Sequence, residues 1–133
     1  MVLRTPSLLI TDDDRDFRET LRSVFEPRGF HTFLAGDGEQ AVQIVEREHV
    51  HLALLDMHMP RLSGLEALRE VKRLDARLPC ILLSAGLDDA IAEQARQAEA
   101  FSVHRKPISF TELTDIVSLA MRQTYNWPDT ALS

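Results

Sequence analysis

Four places in this 133-residue chain carry side chains able to do chemistry together. Asp12, Asp13 and Asp14 follow the apolar run Leu8-Leu9-Ile10. Asp56 follows the run Leu52 to Leu55, Ser84 follows Ile81 to Leu83, and Lys106 comes shortly after Phe101 to Val103. Crowded carboxylates resist joint ionisation unless a positive charge compensates them. A hard divalent cation supplies such a charge, and Mg2+ is typically held by one or two carboxylates plus waters and phosphate oxygens. A lysine adds a point charge and a serine a hydroxyl. That set suits a phosphoryl group, whose charge is spread over three oxygens. A carboxylate can itself be the nucleophile and form an acyl phosphate.

These residues lie far apart in sequence, so the fold must gather them. The apolar runs, with Phe30 to Ala35 added, are short, and three are continuous, which suits strands buried on both faces. Segments of helical period separate them. One carries Phe17, Leu21, Val24 and Phe25, another Ala41, Ile44 and Val45, and a third Leu65, Leu68 and Val71; the later two carry Ile91, Ala95 and Ala98, then Leu113, Ile116, Val117 and Ala120. Strand and helix alternating five times predicts an α/β fold with a parallel sheet covered on both faces. Sites in such sheets form beyond the carboxyl ends of the strands, which is where all four groups fall. Local signals agree. Asp14 suits a helix N-cap, Gly29 a turn out of that helix, and Gly36-Asp37-Gly38 a turn into the next. Pro60 and Gly64 bracket a loop, Pro79 blocks helix continuation, and Ser109 or Thr111 opens the last helix.

Composition narrows the class. With 44% hydrophobic and 27% charged residues the chain reads as one ordinary globular domain, placed at 1–125 with a loose tail over 126–133. One cysteine excludes a disulfide framework, and Cys80 reads as a small core residue. Asp and Glu number 21 against 15 Lys and Arg, a net charge of −6. That balance lacks a nucleic-acid footprint and disfavours anionic membranes. No apolar run approaches a membrane span and the start lacks a signal-peptide pattern, so the expected location is cytoplasmic. His31, His49, His51 and His104 read as surface or strand-edge residues, and Trp127 as a tail anchor or part of the loose end.

The order LLITDDD, LLDMHMPRLSG, LLSAG and HRKPI resembles the receiver domain of bacterial two-component response regulators, from about Ser7 to Arg122. The resemblance implies a flavodoxin-like (βα)5 fold, a doubly wound five-stranded parallel sheet of order 2-1-3-4-5. It implies that Asp56 is the phosphoacceptor. Asp12, Asp13, Asp56 and the backbone carbonyl of His58 would hold Mg2+ or Mn2+. Ser84 would move toward the phosphoryl group, and Lys106 would pair with Asp56 and then with the phosphate. The Lys106-Pro107 peptide matches one that is cis in the family. The implied partners are a sensor histidine kinase or phosphotransfer protein, a downstream protein target or a fused output domain, and a second copy through the fourth-helix, fifth-strand and fifth-helix face. The implied protein is a self-catalysed phosphoacceptor rather than an enzyme.

Some positions depart from the family pattern. Val103 stands where an aromatic switch residue is usual, and valine is short and stiff; Phe101 or His104 are the candidates to replace it. Glu99 stands where glycine is common and Thr11 where an aliphatic is. His58 and Gly86 match positions that tune acyl-phosphate lifetime, and Gly86 predicts open access for water. Other readings are a receiver-like binding module that needs no phosphorylation, an aspartate-nucleophile phosphatase, and a dinucleotide site at Gly36-Asp37-Gly38-Glu39-Gln40-Ala41. The phosphatase class needs a second acid at position 58, where this chain has histidine. The dinucleotide reading leaves Asp12, Asp13 and Lys106 unexplained.

Overall fold

The computed structural model describes residues 5–127. Strands and helices alternate: β1 (Ser7–Thr11), α1 (Arg15–Phe25), β2 (His31–Ala35), α2 (Gly38–Arg47), β3 (Leu52–Asp56), α3 (Gly64–Leu74), β4 (Cys80–Ser84), α4 (Asp89–Gln97), β5 (Ser102–Arg105) and α5 (Phe110–Tyr125). A short 3-10 turn, Glu26–Arg28, closes α1. All neighbouring strands pair in parallel, in the order β2-β1-β3-β4-β5. This is the doubly wound flavodoxin-like sheet that the resemblance implies. Among the described residues no helix is long and apolar enough to cross a membrane.

The alternation of strand side chains divides the core. Leu8, Ile10, Leu52, Leu54, Ile81 and Leu83 pack with Leu21 and Phe25 of α1 and with Leu113, Val117 and Met121 of α5. Leu9, Ala53, Leu55 and Leu82 face the other way, onto Ala41 of α2, Leu65, Leu68 and Val71 of α3 and Ala95 of α4. Both layers need apolar partners, so β3 and β4 are continuous runs buried at every residue. Each fully buried Leu or Ile contributes about 1.5–3 kcal/mol relative to exposure.

Helix starts are set by capping side chains, each worth about 1 kcal/mol. Asp14 accepts from the N–H groups of Asp16 and Phe17, Asp37 from Gln40, Asp88 from Ile91 and Ser109 from Glu112. Ser63 and Glu66 form a reciprocal capping box at α3. Ser109 rather than Thr111 therefore opens α5. Gly29 turns the chain out of the 3-10 segment at φ 96. Glu99 sits at φ 65, left-handed backbone that favours glycine, which explains why glycine is common there.

Three expectations shift. The last strand runs Ser102–Arg105 instead of Phe101 to Val103; it is a half-buried edge strand, so hydrophobicity alone does not mark its ends. Of the two readings of His51, strand edge holds and surface does not: it is buried just before β3. Its Nδ1 accepts from the Ser7 N–H at 2.9 Å and its carbonyl accepts from the Tyr125 hydroxyl at 2.7 Å. Packing also continues past residue 125: Asn126 closes α5 in the left-handed region, and Trp127 is buried against the α1–α5 side of the core. The rest of the expected tail, 128–133, lies outside the described residues.

Candidate functional site

The carboxyl ends of β1, β3, β4 and β5 meet at one edge of the sheet, and each delivers one part of the site. Register does the placing: Thr11 pairs with Leu55, Asp56 with Leu83 and Ser84 with Arg105. The residues just beyond therefore emerge side by side. Backbone bonds fasten the turns. The Asp12 N–H donates to Ala35 O at 3.1 Å, Met57 to Leu83 O at 2.7 Å and Lys106 to Ser84 O at 2.9 Å.

Asp12 and Asp56 are buried, while Asp13 is exposed. Each of the three presents a carboxylate oxygen, and these oxygens lie within 4.8 Å of one another. The Lys106 ammonium reaches between two of them, donating to Asp12 Oδ2 at 2.6 Å and lying 3.2 Å from Asp56 Oδ1. It also lies over the Phe17 ring, 4.7 Å from the centroid. The peptide bond that follows, Lys106-Pro107, is cis as expected.

Burial, followed by the negative charge of Asp12, pushes the Asp56 carboxyl above its usual range, and Lys106 offsets this only in part. Burial by itself would lower the Lys106 ammonium, but its bond to Asp12 and the charges of Asp56 and Asp12 outweigh that and raise it. One ammonium thus faces three carboxylates, and the pocket carries surplus negative charge. An all-oxygen set of this kind suits a hard cation such as Mg2+.

The β1–α1 turn is tightly held. Asp12 Oδ1 accepts from the Asp14 N–H at 2.9 Å, and Arg18 Nη1 donates to the Asp12 carbonyl at 2.7 Å. Asp14 stays outside the acidic group and serves as the cap of α1. In the sequence Arg18 carries no sign of this contact, and Phe17 reads only as part of the apolar face of α1. The signal available was position: both lie in the first turn after the acids, where side chains lean back toward the helix N-terminus.

Ser84 is fully buried, and its hydroxyl has no hydrogen-bond partner among the described residues. His58 is exposed two residues after Asp56. A Cβ built on Gly86 would meet nothing nearer than His58 Nε2, at 3.7 Å, so Gly86 leaves that side of the pocket open. Val103 faces α4 and lines a groove of about 270 Å3 with Ala92, Ala95, Arg96, Ala100 and Phe101. Of the two candidates for its role, Phe101 reaches this groove. His104 instead meets Ser102 Oγ at 2.9 Å, with Glu112 of α5 nearby.

The glycine-rich turn at 36–38 offers no cradle for pyrophosphate. The Asp37 carboxylate caps α2, and a Cβ on Gly38 would lie 2.5 Å from both Leu62 Cβ and the Leu62 carbonyl. That space is already filled by the β3–α3 loop.

Known proteins share this sequence pattern and this fold. Residues 8–118 match the family described as "Response regulator receiver domain". Sporulation initiation phosphotransferase F of Bacillus subtilis is 34% identical over 110 residues, covering 83% of this chain and 89% of that protein. Other curated relatives are longer regulators, and the chain spans between a quarter and about half of their length. A CheY-like receiver domain protein from Methanospirillum hungatei superposes with a TM-score of 0.89 over 92% of this chain and 98% of that one, at 20% identity. The receiver domain of sensor histidine kinase PA1611 from Pseudomonas aeruginosa gives a TM-score of 0.76 at 27% identity, covering 89% of this chain and 96% of that one; it was solved with a magnesium ion in its active-site cleft.

Proposed function

The chain belongs to the response regulator receiver family, and from that premise we propose that Asp56 accepts a phosphoryl group and so switches a protein-binding surface. The observation that carries this reading is the ammonium of Lys106 set between the buried carboxylates of Asp12 and Asp56, with Asp13 alongside.

In the proposed step an Asp56 carboxylate oxygen attacks the phosphorus of a phosphohistidine or a small acyl phosphate. A P–O bond forms to Asp56. The P–N or P–O bond to the donor breaks, and the leaving imidazole or carboxylate keeps the electron pair. Lys106 neutralises charge that develops on the phosphoryl oxygens. Asp12, Asp13 and Asp56, with the His58 carbonyl, would hold Mg2+ or Mn2+, which supplies charge neutralisation and orients the donor. The Ser84 hydroxyl is the donor positioned to turn toward the new anion. Water then cleaves the acyl phosphate, releasing inorganic phosphate and restoring the carboxylate. The chain is on this reading a stoichiometric phosphoacceptor, not a turnover enzyme.

The donor is a sensor histidine kinase or phosphotransfer protein in the cytoplasm. The output is a separate protein target or a further domain, in keeping with the longer relatives, or a second copy bound through α4, β5 and α5. The net charge of −6 argues against direct nucleic-acid binding.

Incubation with acetyl phosphate and Mg2+, followed by intact-mass analysis, tests the proposal. The protein should gain one phosphoryl group, and Asp56→Asn or chelator-treated protein should gain none. A partner that binds Asp56→Asn and phosphorylated protein equally well would favour the passive binding module instead.

A further inference from the structure

We infer that Phe17 is a positioning residue for Lys106: its ring helps hold the ammonium between Asp12 and Asp56, where the incoming phosphoryl group must meet it. The inference rests on the phosphoacceptor reading above and adds a residue to its machinery.

Two of the three ammonium donors of Lys106 are directed at Asp12 Oδ2 and Asp56 Oδ1. The Phe17 ring, 4.7 Å away at its centroid, covers another side. Phe17 is half-buried and packs on the α1–α5 side of the core. Its place is fixed at the backbone, because its N–H is one of the two donors that the Asp14 carboxylate caps. The turn that carries Asp12 and Asp13 therefore also aims this ring. Ala85, Pro107 and Ile108 join Phe17 and Lys106 around an open, largely apolar groove of about 300 Å3. A lysine has a long, freely rotating stem. Without the ring, that groove would let the ammonium swing toward solvent. The ring face attracts it electrostatically and excludes water from one side of it.

The test uses acetyl phosphate as donor, so that no kinase surface is involved. The variants are Phe17→Leu, which keeps apolar bulk, and Phe17→Tyr, which keeps the ring. Phosphorylation rates are read by intact mass against donor concentration, and the Lys106 ε-methylene protons by NMR. We expect Phe17→Leu to lower the saturating rate by roughly 3- to 30-fold, the range of a partly desolvated cation–π contact. Phe17→Tyr should restore it to within about twofold. The upfield ring-current shift of the Lys106 protons should be present in wild type and Phe17→Tyr and lost in Phe17→Leu. A Phe17→Leu protein that reacts at the wild-type rate overturns the inference, as do Leu and Tyr variants that are equally slow. Wild type that gains no phosphoryl group overturns the phosphoacceptor reading itself. Wild type that reacts while its Lys106 protons show no ring-current shift overturns only the role of Phe17.

Discussion

Gly64→Ala is the substitution that most directly ties the fold to the chemistry. Gly64 is the first residue of α3 and follows the Ser63 cap. It is glycine for reasons of space. A Cβ there would lie 2.3 Å from the Asp56 carbonyl oxygen, 2.8 Å from the Asp56 carbonyl carbon and 2.8 Å from Leu82 Cδ1. Ordinary contact begins near 3.4 Å, so the helix start and the end of β3 must separate by roughly 1 Å. The Gly64 N–H also donates to the Met57 carbonyl at 2.9 Å, so the two segments cannot part without straining that bond. Overpacking of this kind costs about 1–3 kcal/mol, and backbone on the far side favours the upper end. The displaced residue is the proposed nucleophile, and a misplacement near 1 Å costs on the order of 100-fold in rate. Urea denaturation should show the loss of stability. Phosphoryl incorporation from acetyl phosphate, measured well below the melting temperature, should show the loss of rate separately. Gly64→Ala with wild-type stability and wild-type rate would refute the close-approach reasoning. Lost stability with an unchanged rate would mean that α3 yields and Asp56 does not.

Further expectations concern single residues. Burial, with a smaller effect from His49, lowers the His51 pKa below its ordinary 6.5. The unfolded chain therefore takes up the proton first, and this contribution to stability is complete above about pH 6.5 and fades as pH falls toward the folded value. His51→Asn can still accept from the Ser7 N–H, so denaturation curves from pH 7 to 5 should decline less steeply than wild type; parallel curves would contradict this. Thr11 is buried with its hydroxyl unpartnered among the described residues, so Thr11→Val should stabilise by about 1 kcal/mol in urea titrations. A Gly86→Leu side chain has room beside His58 and should lengthen the acyl-phosphate lifetime on the order of tenfold, equivalent to about 1.4 kcal/mol of barrier. An unchanged hydrolysis rate would show that water enters elsewhere.

The parts of the molecule that were legible in the sequence obey strong local rules. Runs such as LALL and ILL admit little but a strand buried on both faces, and Asp14 marks a helix start by the chemistry of orphan N–H groups, as does the choice between Ser109 and Thr111 that the structure settles for Ser109. Once strand ends were fixed, Asp12, Asp56, Ser84 and Lys106 had to gather at one edge. What escaped depends on partners remote in sequence. His51 reads from the sequence as surface or strand edge, because the partners that bury it, Ser7 and Tyr125, are remote. Trp127 lies beyond the last helical period, so the sequence leaves open whether it anchors the tail or stays loose, and the core makes it an anchor. Phe17 has the spacing of a core residue, and only the return of β5 brings a cation over its ring.

A switch requires that the two states of Asp56 differ in what they offer the rest of the protein. The resting site already holds two such differences. Burial and the charge of Asp12 hold the Asp56 carboxyl above its usual range, and the shared Lys106 ammonium leaves part of that cost standing. The Ser84 hydroxyl is fully buried without an acceptor among the described residues, a state that costs about 1–3 kcal/mol. On the proposed reading a phosphoryl oxygen supplies that acceptor and draws Lys106 away from Asp12. A gain of this size shifts a two-state equilibrium by roughly 5- to 150-fold. On that reading the driving energy would come from the end of β4 and would not require an aromatic on β5. On the same reading Val103, in the groove it lines against α4, would need only to make room for a turn of the Ser84 side chain, a smaller task than swinging a ring.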